Sequence, residues 1–142
     1  MKKLVLVVLF ITSPAFAVSK PNSKLTPGVS NPVLTRDVIC SPRFRTKHYR
    51  KVTQKMHRQV WKAYGMNWSK DHSCCEDDHL IPIELGGSNK NANRWPQPWS
   101  QAKQKDKVEN YLHREVCSDH MTLQEAQQII TSDWFSVYKG IK

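Results

Sequence analysis

The chain has 142 residues, with 22 Lys and Arg against 12 Asp and Glu, for a net charge of +10. That length suits one domain with a modest core, and no internal repeat or second domain is visible. The charge points to a polyanionic partner, namely nucleic acid, an anionic envelope polymer or a membrane surface, without choosing among them.

The first residues read as an export signal. Lys2 and Lys3 form a basic start, residues 4–12 an apolar run, and Ala15-Phe16-Ala17 a small-x-small cleavage pattern, so the cut is expected after Ala17. The apolar run is well short of the roughly 20 residues of a spanning helix. A periplasmic or secreted protein, with no stable membrane insertion after cleavage, is expected. Cleavage leaves residues 18–142 with a charge of +8.

Residues 18–35, rich in Ser, Pro, Lys and Asn, read as a flexible or extended arm ahead of a domain at 36–142. Residues 35–40 suit a short strand or loop. Residues 43–62 carry Arg43, Arg45, Lys47, Arg50, Lys51, Lys55, Arg58 and Lys62 and no acid. From about Thr46 a helix is expected, with Val52, Met56, Val60 and Ala63 inward and Gly65 as its stop. With no acids to offset them, these cations are candidates for phosphate contact.

Residues 66–75 read as a loop. Residues 76–85 suit one or two short strands bent by Pro82, and Gly86-Gly87-Ser88-Asn89 is turn chemistry. Trp95-Pro96-Gln97-Pro98-Trp99 reads as a rigid connector with its tryptophans under the site. A helix is expected over 100–116, with Ala102, Val108, Tyr111, Leu112 and Val116 inward and a Lys105–Glu109 pair at i,i+4. Thr122-Leu123-Gln124-Glu125 is a capping box for a last helix, whose Leu123, Ala126, Ile129, Ile130, Trp134 and Phe135 close the core. The class is α+β, mainly helical.

Cys40, Cys74, Cys75 and Cys117 make an even set, which in an oxidising compartment suggests disulfides. Of the three complete pairings, the one joining adjacent Cys74 and Cys75 is disfavoured because such a bridge closes only with strain. A Cys40–Cys117 staple is preferred, leaving Cys74 and Cys75 free, metal-bound or paired between chains. His72, Cys74 and Cys75 lack the further ligands of a zinc site.

Asp78-His79-Leu80-Ile81-Pro82, Gly86-Gly87 and Asn93 are the stretch with chemical content. A carboxylate can hold a divalent cation and a neutral imidazole can take a proton from water, the two parts of metal-assisted phosphodiester hydrolysis. Asp77 is expected as a solvated strand-edge residue, and His48, His57 and His120 as surface residues without partners.

Strand, glycine turn, strand and helix around Asp78, His79 and Asn93 resemble the HNH nuclease motif, also called the ββα-metal or His-Me finger. The run from Asp78 to Gly87, Asn93-Arg94-Trp95-Pro96, Ala102, Lys105-Asp106 and Glu109 are similar to small exported bacterial HNH proteins. So are Thr26-Pro27-Gly28, Ile39-Cys40, Val116-Cys117, Ala126-Gln127 and Asp133-Trp134. The resemblance covers nearly all of residues 18–142 and implies a ββα core at about 76–116. It implies His79 as general base, Asp78 as metal ligand, and Asn93 as the residue that pins the loop and orients His79. The third ligand position, usually His or Asn, falls near Gln101, Ala102 and Lys103. Gln101 is the candidate oxygen ligand, with Glu84 or Asp77 as substitutes, and Lys103 a phosphate contact. The implied activity is metal-dependent endonuclease cleavage of nucleic acid, DNA first, with little sequence preference. Mg²⁺ is the first candidate ion, and Zn²⁺, Mn²⁺ or Ni²⁺ are alternatives. A toxic role would need an immunity partner that this chain does not reveal. The competing readings are an inactive HNH scaffold that binds nucleic acid or another envelope polyanion, and a basic surface-binding module.

Overall fold

The computed structural model describes residues 19–141. The expected export segment, residues 1–17, lies outside them. The described chain is a small α+β domain with one two-stranded antiparallel sheet. Four short or medium helices come first: α1 (Arg36–Ile39), α2 (Thr46–Tyr49), α3 (Gln54–Ala63) and α4 (Trp68–Asp71). Strands β1 (Cys75–His79) and β2 (Arg94–Pro98) follow, then the long helices α5 (Trp99–Cys117) and α6 (Leu123–Gly140). No helix among the described residues is long and apolar enough to cross a membrane.

Helices α5 and α6 form the frame. Val108, Leu112 and Val116 of α5 meet Ala126, Ile130 and Trp134 of α6, with Leu34, Ile39, Ile81, Ile83 and Leu85 completing the core. Burying these side chains at 3.6-residue spacing holds the pair together. The capping box is present: Thr122 accepts from Glu125 N, and the Glu125 carboxylate accepts from Thr122 N. Helix α6 kinks at Asp133, whose carboxylate accepts from Ser136 N and so caps the second segment.

Cys40 and Cys117 are bridged, tying the end of α1 to the end of α5 across 77 positions. Cys74 and Cys75 are also bridged, with Cα atoms 3.7 Å apart, which corrects the expectation against that pairing. The short helical turn at His72–Cys74 leading straight into β1 brings the two sulfurs together.

Four expectations about secondary structure need correction. Residues 36–39 form helix α1 rather than a strand or loop, and the expected loop at 66–75 holds helix α4. The basic helix from Thr46 is two helices, because Arg50–Thr53 is extended and Thr53 starts α3 by accepting from Met56 N. The tryptophan-proline connector is β2 itself. Its prolines face Asp77 and Cys75 across a two-stranded ladder in which every strand is an edge, where a missing N–H is tolerated. Trp95 is buried as expected, but Trp99 is exposed.

Residues 19–35 are not a flexible arm. Thr26 and Leu34 are buried, and Gly28 N donates to Ala92 O, Asn31 N to Gly86 O, and Ser88 N to Val29 O. This segment satisfies the backbone of the long β1–β2 connection, which has no ladder of its own. A side chain at Gly87 would meet Ile81 O at 1.7 Å, so only glycine allows the connection to fold onto itself there.

Candidate functional site

Strand β1 sets the site's geometry. Successive side chains of a strand point to opposite faces. Asp77 and His79 therefore share one face and Glu76 and Asp78 the other, so Asp78 and His79 are adjacent in sequence but not in space.

On the first face, His79 is buried. Asn89 fixes its tautomer. The Asn89 Nδ2 donates to Tyr49 O at 2.8 Å, which turns Oδ1 towards His79 Nε2 at 3.1 Å. That oxygen can only accept, so Nε2 carries the proton and Nδ1 presents a lone pair. Nδ1 is buried without a hydrogen-bond partner. Burial pushes the imidazole pKa down to about 4; the Asn89 bond opposes this and the charges of Arg50 and Arg94 reinforce it.

Beside it, Asp77 is far from solvated. Its side chain is 4 % exposed and is gripped by the Arg94 guanidinium, with Nε to Oδ1 at 3.1 Å and Nη2 on Oδ2. His57 Nδ1 bonds the same Oδ2 and stacks on Trp68 with ring centroids 4.7 Å apart. Trp68 in turn packs against the edge of buried Trp61. His57 is therefore no free surface residue. A separation of 20 positions carries no periodic signal that could have paired it with Asp77.

Asn93 is fully buried and uses its whole amide. Oδ1 accepts from Ile81 N at 3.0 Å and Val29 N at 3.2 Å; Nδ2 donates to Ile81 O at 2.9 Å and Ser88 O at 2.8 Å. It pins the loop as expected, but with no bonding capacity left it is a positioning residue rather than a catalytic one.

On the second face, Asp78 Oδ2 accepts from Trp95 Nε1 at 3.1 Å and lies 2.9 Å from Lys105 Nζ. Lys105, fully buried, also donates to Glu109 Oε1 at 2.5 Å and His79 O at 2.9 Å. Asp78 and Glu109 hold the ammonium charged, overriding the burial that opposes it. Around this pair lie more acids. Burial, then Glu109 and Asp106, push Glu84 up to about 7, and burial with the same neighbours raises Glu76.

The donor set does not fit a divalent ion held by Asp78 and Gln101. One oxygen of Asp78, Oδ2, meets both an ammonium and an indole, which leaves Oδ1 alone to offer a cation. Gln101 Oε1 accepts from Ser19 N at 3.1 Å. Among the described residues, the group of three His, Cys or acidic donors that comes within 4.8 Å of one another is Cys40, His113 and Cys117, two of which form the disulfide. Asp78, the expected metal ligand, has its Oδ2 2.9 Å from Lys105 Nζ. The sequence held a signal for this, since 102, 105, 108, 112 and 116 form one buried stripe of α5 with a lysine inside it.

Arg43, Arg45, Lys47, Arg50, Lys51, Lys55, Arg58, Lys62 and Lys103 are all exposed, and among the described residues none is in a salt bridge. Lys55, Arg58 and Lys62 follow one another at i, i+3 and i+7 along α3. Lys51 N donates to Asn89 Oδ1 at 3.2 Å, so the basic segment adjoins the residue that orients His79.

Comparison with protein-family models, curated proteins and solved structures finds no match. Function therefore has to be argued from the site's own chemistry.

Proposed function

We propose that this chain is an HNH-type nuclease that hydrolyses phosphodiester bonds of nucleic acid, DNA first, with Nδ1 of His79 as general base. The observation that carries this reading is the fixed tautomer: Asn89 holds the proton on Nε2 and leaves Nδ1 unpartnered. With its pKa near 4 the imidazole is neutral at physiological pH, as a base must be. Water gives its proton to Nδ1 as its oxygen attacks phosphorus, and the P–O bond to the leaving sugar oxygen breaks. Exposed cations of α3 and of the segment before it hold flanking phosphates without reading bases. A divalent ion would stabilise charge on the phosphate and leaving oxygen, but the Asp78 donor set does not fit one, and no step is assigned to it.

A second reading is favoured by two observations. His79 is only 2 % exposed, and Asp78 is already paired. A scaffold that binds nucleic acid or another polyanion without cutting it would have both features. Export to the periplasm or the medium belongs with either reading.

One experiment separates them. Purified residues 18–142 are incubated with supercoiled plasmid, with and without chelator or added Mg²⁺, Mn²⁺, Zn²⁺ or Ni²⁺, beside His79→Ala. Nicking that disappears in His79→Ala supports the nuclease. Salt-sensitive DNA binding with no nicking under any condition replaces it with the inert scaffold.

A further inference from the structure

We propose that Lys105 is a resident cation, and that its ammonium fills the cradle of Asp78, Glu109 and the His79 carbonyl so that the protein neither binds nor needs a divalent ion there. This holds whether or not the chain cleaves nucleic acid.

Three oxygens converge on one point at 2.5–2.9 Å, two of them from carboxylates and one from a backbone carbonyl. Such a set is what a hard cation takes. Here the point is occupied by Nζ, whose three N–H groups match the three oxygens, so the ammonium has nothing left to offer a ligand. It is also fully buried, so an ion entering from solvent would have to displace a side chain packed inside the protein. Charge leads to the same view. The ammonium stands between the two carboxylates and offsets their mutual repulsion.

The cradle has a size. Mg²⁺ needs oxygens at about 2.0–2.1 Å and Ca²⁺ at about 2.3–2.6 Å. Oxygens that stand 2.5–2.9 Å from Nζ need to close in only slightly on Ca²⁺ and considerably more on Mg²⁺. Lys105→Ala removes the ammonium and its four-carbon stem, leaving room for Ca²⁺ with bound waters. Lys105→Met removes the charge but keeps the stem, leaving two unpaired carboxylates and no room.

The test is calcium binding and thermal unfolding, neither of which depends on catalysis. For the unaltered protein, titration with Ca²⁺ or Mg²⁺ is expected to give no heat that Asp78→Asn abolishes, and chelator is expected to leave Tm unchanged. Lys105→Ala is expected to melt lower in chelator. In about 10 mM Ca²⁺ its Tm should rise by about 5 °C or more, with a smaller rise in Mg²⁺. Lys105→Met and the Lys105→Ala/Asp78→Asn double variant should show no rise. Should Lys105→Ala be unfolded in chelator, Ca²⁺-driven refolding read by circular dichroism replaces the Tm. Asp78-dependent divalent binding by the unaltered protein, or no response of Lys105→Ala to Ca²⁺, overturns the proposal. Neither result touches the role of His79.

Discussion

Replacing Asn93 by alanine should cost roughly 3–5 kcal/mol of stability, a large share of the 5–15 kcal/mol typical of a domain. Four hydrogen bonds vanish together: two donated to Ile81 O and Ser88 O, two accepted from Ile81 N and Val29 N. Three of the four orphaned groups sit at buried contacts, and each costs about 1–1.5 kcal/mol when left unsatisfied; Val29 N is only partly buried and water can serve it. Asn93→Asp probes the same point differently. It keeps both acceptors but sets a carboxylate oxygen against two carbonyls, so the loss should be comparable at pH 7 and smaller at a pH where the carboxyl is protonated and donates. Urea unfolding of the oxidised protein is the assay, read as a fall in midpoint at constant m. The exposed amide of Asn110, which donates only to Asp106 O one turn away, is the control, and its change to alanine should stay within about 0.5 kcal/mol. A loss below about 1 kcal/mol for Asn93→Ala would refute the view that this amide holds the β1–β2 connection and the 19–35 segment together.

The remaining predictions concern charge and cross-links. His79 has a folded pKa of about 4, below the usual 6.5, so its neutral form stabilises the fold above pH 6.5 and this is lost as pH falls from about 6.5 to 4, by up to about 3 kcal/mol. Urea midpoints against pH should show that slope, and His79→Gln should flatten it. Glu84 titrates the other way. Raised to about 7 from 4.5, it favours the fold when protonated and penalises it as pH rises through 7, so Glu84→Gln should gain roughly 1–3 kcal/mol at pH 8 and nothing at pH 4. The double change Cys40→Ala/Cys117→Ala should cost up to about 4 kcal/mol, because the bridge closes a loop of 77 positions; Cys74→Ser/Cys75→Ser closes no loop and should cost less than about 1 kcal/mol in the same unfolding assay.

Local rules made part of this molecule legible and non-local ones hid the rest. The α5 stripe repeats every three or four residues and the Thr122 capping box spans one helical turn, and both were readable. The Cys40–Cys117 staple was the preferred pairing, but the even cysteine set also implied the Cys74–Cys75 bridge that had been disfavoured. Strand β2 was hidden because two prolines in five residues look like a strand breaker, and only the absence of a third strand makes them harmless. The 19–35 segment was hidden because its hydrogen bonds go to Gly86, Ser88, Ala92 and Asn93, which no pattern within the segment announces. At the site, His79 and Asn93 were singled out through the resemblance to the HNH motif, whereas Asn89, His57 and Lys105 were not singled out as site residues. Each of those three acts through a partner on another element: Tyr49 for Asn89, Asp77 for His57, and Asp78 for Lys105.

The alternation of β1 ties these observations together. One face presents His79 and Asp77 with Arg94, and Arg50 lies within electrostatic reach of both His79 and the acids of the other face. The other gathers Glu76, Asp78, Glu84, Asp106 and Glu109 around a single buried lysine. Lys105 joins the two faces, since its ammonium binds Asp78 on one and the backbone carbonyl of His79 itself. That single bond ties the end of β1 to α5, while the imidazole itself is oriented from the other side by Asn89.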